Sequence, residues 1–229
     1  MNNIKTFENF NNKDIFTYIE NNDIKSVENY INSGADLNKQ NNNGDTPLIM
    51  ATINNNIEIV KLLLDSDADP NKQNNYGYTA LMNAAWFNKI EITKLLLNAG
   101  ADTNKQDSVG YTALILAVMY NNLEIVELLL NAGAYIDKQN NDGYTALIYA
   151  AYNNNREIVE ILLDYGADEF ILNDDKSFYD FLNDENKEYF TQNYPTSVYN
   201  AIYHNYKKSF TEFLKDYNIK KTIKYIKYE

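Results

Sequence analysis

The side chains that could carry chemistry are few, and their spacing argues against a reaction centre. The single histidine is His204, beside Asn205 and Tyr206. There is no cysteine, which removes disulfides, thiolate zinc ligation and cysteine nucleophiles together. One histidine without cysteine supplies neither a metal cluster nor a Ser-His-Asp arrangement, so His204 reads as a packed or solvated side chain. Asp65, Asp67 and Asp69 alternate like the start of a calcium loop. Such a loop needs glycine at its sixth position and glutamate at its twelfth, where this chain has Pro70 and Tyr76. Neither glycine-rich phosphate-binding pattern occurs. Glu58, Glu91, Glu124 and Glu157 recur at a step of 33 residues. A carboxylate repeated at a fixed step on a solvated face is surface rather than an acid/base pair. The expectation is a protein that is not an enzyme, with no catalytic residue, no metal and no cofactor.

That step of 33 organises the chain. Gly-Tyr-Thr-Ala-Leu begins at Gly77, Gly110 and Gly143, and Gly-Asp-Thr-Pro-Leu begins at Gly44. A second comb runs through Gly34, Asp67, Gly100, Gly133 and Gly166. A period in this range signals stacked supersecondary units. The fullest copy is 141–168, NDGYTALIYAAYNNNREIVEILLDYGAD, a turn-helix-turn-helix unit. In each copy a threonine (Thr46, Thr79, Thr112, Thr145) stands where its hydroxyl can cap the first helix. Pro47 suits the first helical position. Ile59, Val60, Leu63 and Leu64 form the buried stripe of a second helix. Asn22, Asn55, Asn88, Asn121 and Asn154 mark the joints between helices, where a positive φ is needed and asparagine is the least costly residue after glycine.

Gly-x-Thr-Pro/Ala-Leu, then Ala-Ala-x-x-Asn, then Glu-Ile-Val-x-x-Leu-Leu-Leu-x-x-Gly-Ala-Asp resembles the ankyrin repeat, over roughly residues 13–194. The chain departs from the family pattern at Ile49, Met82, Ile115 and Ile148, where histidine is usual, and at the five joint asparagines, where glycine is usual. The resemblance implies an all-α solenoid of paired antiparallel helices with hairpin-like loops. About six repeats are expected: a capping repeat at 12–42, full repeats at 43–75, 76–108, 109–141 and 142–173, and a truncated capping repeat at 174–196. Together, 1–196 form one repeat domain. Asn186 is expected at the last joint. Residues 197–229 form a separate basic segment, read as helical.

The net charge of −12 is uneven. Residues 197–229 carry seven lysines against three acidic residues, a balance of +4, which leaves −16 on the rest. An acidic repeat domain repels nucleic acid phosphates. The basic segment could cover the last repeat, recruit a second component as an adaptor, or meet an anionic surface. No secretory signal or membrane-length apolar run is present, so a cytoplasmic monomer is expected. Asparagine makes up roughly one residue in six, and with abundant isoleucine, lysine and tyrosine it suggests AT-rich coding as the source of much of the polar surface.

In ankyrin proteins the loop tips and the exposed side of the first helices line a concave groove that holds partners. Mapped by register, those positions are Asp45, Tyr76, Tyr78, Trp86, Phe87, Val109, Tyr111, Met119, Tyr120, Tyr144, Tyr149 and Tyr152. Met50, Asn83 and Leu116 fall on the same side. Aromatic residues and methionine are enriched at protein interfaces. The expected function is recognition of a protein partner, a basic one given the acidic rim. The competing reading is that the repeated tyrosines only stack on one another.

Overall fold

The computed structural model describes residues 14–174 and 176–198. The chain divides into two compact units, Met1–Ser108 and Val109–Glu229. All but the first two residues of the 197–229 segment, and His204 with it, lie outside the described residues.

The first unit holds α1 (Ile15–Glu20), α2 (Ile24–Asn32), α3 (Pro47–Ile53), α4 (Ile57–Asp65), α5 (Ala80–Trp86) and α6 (Ile90–Asn98). The second holds α7 (Ala113–Met119), α8 (Leu123–Asn131), α9 (Ala146–Tyr152), α10 (Arg156–Asp164), α11 (Phe178–Phe181) and α12 (Asp184–Asn193). Among the described residues the fold is all-α, and the only β-bridge joins Asn173 and Lys176. Each helix from α1 to α10 packs on its sequence partner, and within a unit each first helix packs on the next first helix.

The four threonines start their helices as expected. Thr46, Thr79, Thr112 and Thr145 each accept the backbone N–H three residues on, at 3.2 Å. All four are buried, so an uncapped N–H there would be costly. Asn22, Asn55, Asn88, Asn121 and Asn154 take φ between 51° and 58°, and the chain reverses at each. Second helices bury a stripe of Ile59, Val60 and Leu63, with Leu64 only half-buried. The recurring glutamates Glu58, Glu91, Glu124 and Glu157 sit exposed in the first turn of α4, α6, α8 and α10, where the helix dipole favours a negative charge.

The last pair departs from the repeat. α11 has a single turn, Leu182 is extended, and Asn183 caps α12 by accepting the Asn186 N–H at 2.9 Å. Asn186 is therefore inside α12, not at a joint, because the shortened α11 moves the reversal to Leu182–Asn183. Arg156 ties α10 to this pair. Its Nε donates to Asn186 Oδ1 at 3.0 Å, its Nη2 meets Glu185 at 3.0 Å, and its guanidinium lies 4.2 Å from the Tyr189 ring centre.

The two glycine combs do different work. At Gly77, with φ +83°, a Cβ would stand 2.8 Å from Asp107 Cα and from the Ser108 nitrogen, so glycine is required sterically as well as conformationally. The comb of Gly34, Gly100, Gly133 and Gly166 has open space around each. Asp67 fits in that comb, paying only for its φ of 63°. Asp67→Gly should stabilise the protein by about 0.5–1 kcal/mol, read as a higher melting temperature. Thr52 occupies a slot filled by Ala85, Val118 and Ala151 elsewhere. It is fully buried, and its hydroxyl has no hydrogen-bond partner. Thr52→Val, which keeps the shape, should raise stability by about 1 kcal/mol, measured by urea denaturation.

Candidate partner-binding surface

Three tips are built by an asparagine side chain, Asn41, Asn74 and Asn140, and at the remaining one the corresponding residue is Asp107. Asn74 Oδ1 accepts the backbone N–H groups of Tyr76 (3.0 Å) and Tyr78 (2.9 Å), while its backbone N–H donates to the Tyr78 carbonyl at 3.0 Å. Asn41 and Asn140 repeat the arrangement around Asn43 and Asp45, and around Asp142 and Tyr144. Two donors on one carbonyl oxygen hold the tip closed and set the direction of the residue before the capping threonine.

In the first unit, Asp45 accepts from Asn74 Nδ2 at 2.8 Å and is half-buried. Tyr78 packs on Trp86 with ring centres 5.4 Å apart, and Trp86 stacks on Phe87 at 5.4 Å with planes 4° apart. Tyr78 and Trp86 are half-buried, while Phe87 and Tyr76 remain 45% and 60% exposed. Asn83 is not part of this surface. It folds back to donate to the Thr79 carbonyl at 2.9 Å and is buried, since a short amide four residues into a helix reaches its own N-cap carbonyl.

In the second unit, Val109, Tyr120 and Tyr152 are exposed, Tyr152 most of all at 63%. Met119 is half-buried, and its carbonyl accepts from Asn153 Nδ2 at 3.1 Å. Leu116 is buried on α7, which packs against α8 and α9, so it lies in the core rather than on the exposed side. Tyr111, Tyr144 and Tyr149 are half-buried and meet one another. The Tyr111 and Tyr149 hydroxyls are 3.1 Å apart, Asn140 Nδ2 donates to the Tyr149 hydroxyl at 3.2 Å, and the Tyr144 and Tyr149 ring centres are 5.0 Å apart. Phe181, missed in the register because α11 is displaced, joins them against Tyr144 and Tyr152 at 6.0 and 6.3 Å. Only its place one turn into a first helix could have drawn it in.

The recurring threonine caps, asparagine joints and asparagine-closed tips are one unit used repeatedly. A family model described as ankyrin repeats (3 copies) matches residues 15–107 and 94–173. The chain belongs to the ankyrin repeat family. The match stops before α11 and α12, the pair in which the repeat geometry is cut short. No curated protein matches the chain. Ankyrin repeats are in general protein-interaction modules and typically lack catalytic activity. Among the described residues of this ankyrin chain, no group of three or more His, Asp or Glu is placed to hold a metal, and no helix is long and apolar enough to cross a membrane. Asp69, once a candidate calcium ligand, closes a turn by accepting the Asn71 N–H at 2.8 Å.

Burial, and then the hydrogen bond with Tyr111, push the Tyr149 phenol well above its ordinary pKa of 10.0. A raised pKa means that folding holds the proton more tightly than the unfolded chain does. The stabilisation is full below about pH 10 and is lost as the pH rises toward the folded-state value. Tyr149→Phe should cost about 1 kcal/mol at pH 8. The gap in melting temperature between the two proteins should narrow above about pH 10.

Proposed function

We propose that the chain is a non-enzymatic recognition module that holds a protein partner against the exposed aromatic residues of its tips and first helices. The observation that carries this reading is a contrast in burial. Most side chains of these helices are buried, yet Tyr76 and Phe87 in the first unit, and Tyr120 and Tyr152 in the second, keep 45–63% of their surface exposed. Isolated exposed apolar residues need no explanation, but large aromatics left uncovered at a tip and at the ends of three first helices do. Tyrosine and tryptophan supply much of the energy of protein interfaces because they bury large area with few rotatable bonds.

The half-buried rings support the exposed ones. Trp86 is sandwiched between Tyr78 and Phe87, so part of the surface is ordered before binding, which lowers the entropy lost on association. The acidic balance of residues 1–196 favours a basic partner and disfavours nucleic acid. The chain acts in this reading as a cytoplasmic monomer.

The test is a paired capture experiment. One bait is the intact protein, and the other carries Tyr76→Ser, Phe87→Ser, Tyr120→Ser and Tyr152→Ser, with circular dichroism verifying that it folds. A partner held by the first should bind the second more than ten-fold more weakly, as expected for truncated interface anchors. Equal capture would place recognition elsewhere on the chain.

A further inference from the structure

Four aromatic residues of the second unit form one connected group, Tyr149 to Tyr144 to Phe181 to Tyr152, with neighbouring planes inclined by 33° to 59°. Inclined rings present faces as well as edges. One face already holds a cation, since Lys176 Nζ stands 5.8 Å from the Phe181 ring centre. A tight turn delivers this lysine. Asn173 and Lys176 exchange backbone hydrogen bonds at 2.8 Å across Asp174, which takes φ 46°. The lysine itself is exposed.

The surroundings favour positive charge. Residues 109–198 contain fifteen acidic residues against four basic ones, a balance of −11 that far exceeds the −6 of residues 14–108. Asp142, two residues before Tyr144, is exposed. The face of an aromatic ring attracts an ammonium or guanidinium through its quadrupole, more strongly where water is partly excluded. Elsewhere in this unit the chain makes the same contact with arginine, Arg156 over Tyr189 at 4.2 Å.

We propose that Tyr144, Tyr149, Tyr152 and Phe181 form a seat for a cationic side chain, arginine or lysine, presented by the protein partner, and that Lys176 occupies the seat until it is displaced. This rests on the recognition reading above and adds the chemistry of the occupant. Arginine suits the seat best, because its planar guanidinium is weakly hydrated and stacks on rings.

The test uses the full chain with ring-labelled tyrosine, followed by NMR. The probe is the peptide acetyl-Gly-Arg-Gly-Arg-Gly-amide, compared with its citrulline counterpart, which has the same shape without the charge. The arginine peptide should shift the Tyr144, Tyr149 and Tyr152 ring signals saturably, and the citrulline peptide should bind about ten-fold more weakly. Phe181→Leu should weaken arginine-peptide binding about two- to five-fold. Lys176→Met should tighten it by a similar factor, whereas Lys138→Met, which removes a charge elsewhere in the unit, should tighten it less. Equal response to both peptides, or Lys138→Met matching Lys176→Met, would overturn the proposal. The capture experiment decides the recognition reading separately. A partner lost on removal of the exposed aromatics, from a protein that does not prefer arginine to citrulline, would leave the recognition surface standing with a different occupant.

Discussion

The close approach of one tip to the next is the constraint on which each unit depends. The Asn75 N–H donates to the Asn43 carbonyl, Ser108 to Tyr76, and Asn141 to Val109, each at 3.0 Å. The acceptor is always the residue before a Gly-x-Thr glycine, and the donor lies 32 residues on. A Cβ on Gly44, Gly77 or Gly110 would fall under 3 Å from the neighbouring tip, from backbone atoms in each case. The same approach thus makes the hydrogen bond possible and the glycine obligatory. It also imposes the period, because an inserted residue would move donor away from acceptor.

Around that contact the polar residues are structural rather than decorative. Coding bias could fill a surface with asparagine, but many of these asparagines have specific work. Five turn the chain at positive φ, three close the tips, and others bridge repeats. Asn38 Oδ1 accepts the Asp69 N–H at 2.9 Å, and Asn71 Oδ1 accepts that of Asp102 at 2.7 Å. Gln40 and Gln73 each donate both to the next glycine carbonyl of their own tip and to the backbone of the residue 33 further on. The buried apolar stripes supply the larger stabilisation, while these amides satisfy the backbone of loops that make no β-ladder.

The aromatic residues divide between the two readings open at the level of sequence. Tyr78 packs on Trp86 in the first unit, and Tyr111 and Tyr144 pack on Tyr149 in the second, as a stacked scaffold would. Tyr76, Phe87, Tyr120 and Tyr152 remain at the surface, so a packed layer carries an exposed one. Register position accounts for only part of the division. The tyrosines just before a capping threonine are half-buried, and Phe87 and Tyr120, which share the slot that closes a first helix, are exposed. Trp86 and Tyr152 also share a slot, yet Trp86 is half-buried between Tyr78 and Phe87 while Tyr152 is exposed.

The period, the helix pairs, the threonine caps, the asparagine joints and the all-α class were readable from the residues alone, because each is a local requirement repeated at a constant step. Local pattern failed where packing between repeats decides the outcome. Asn83 and Leu116 occupy a register slot shared with Met50 and Tyr149, yet the amide turns back on its own helix and the leucine is covered, while the other two stay half-exposed. Asn186 was misplaced, and Phe181 passed over as a surface residue, because α11 ends after one turn, and no residue spacing announces where a final helix stops once it has no further repeat to match. The sequence therefore determined which residues could face a partner. The tertiary structure decided which of them are exposed, because exposure depends on what packs over each side chain.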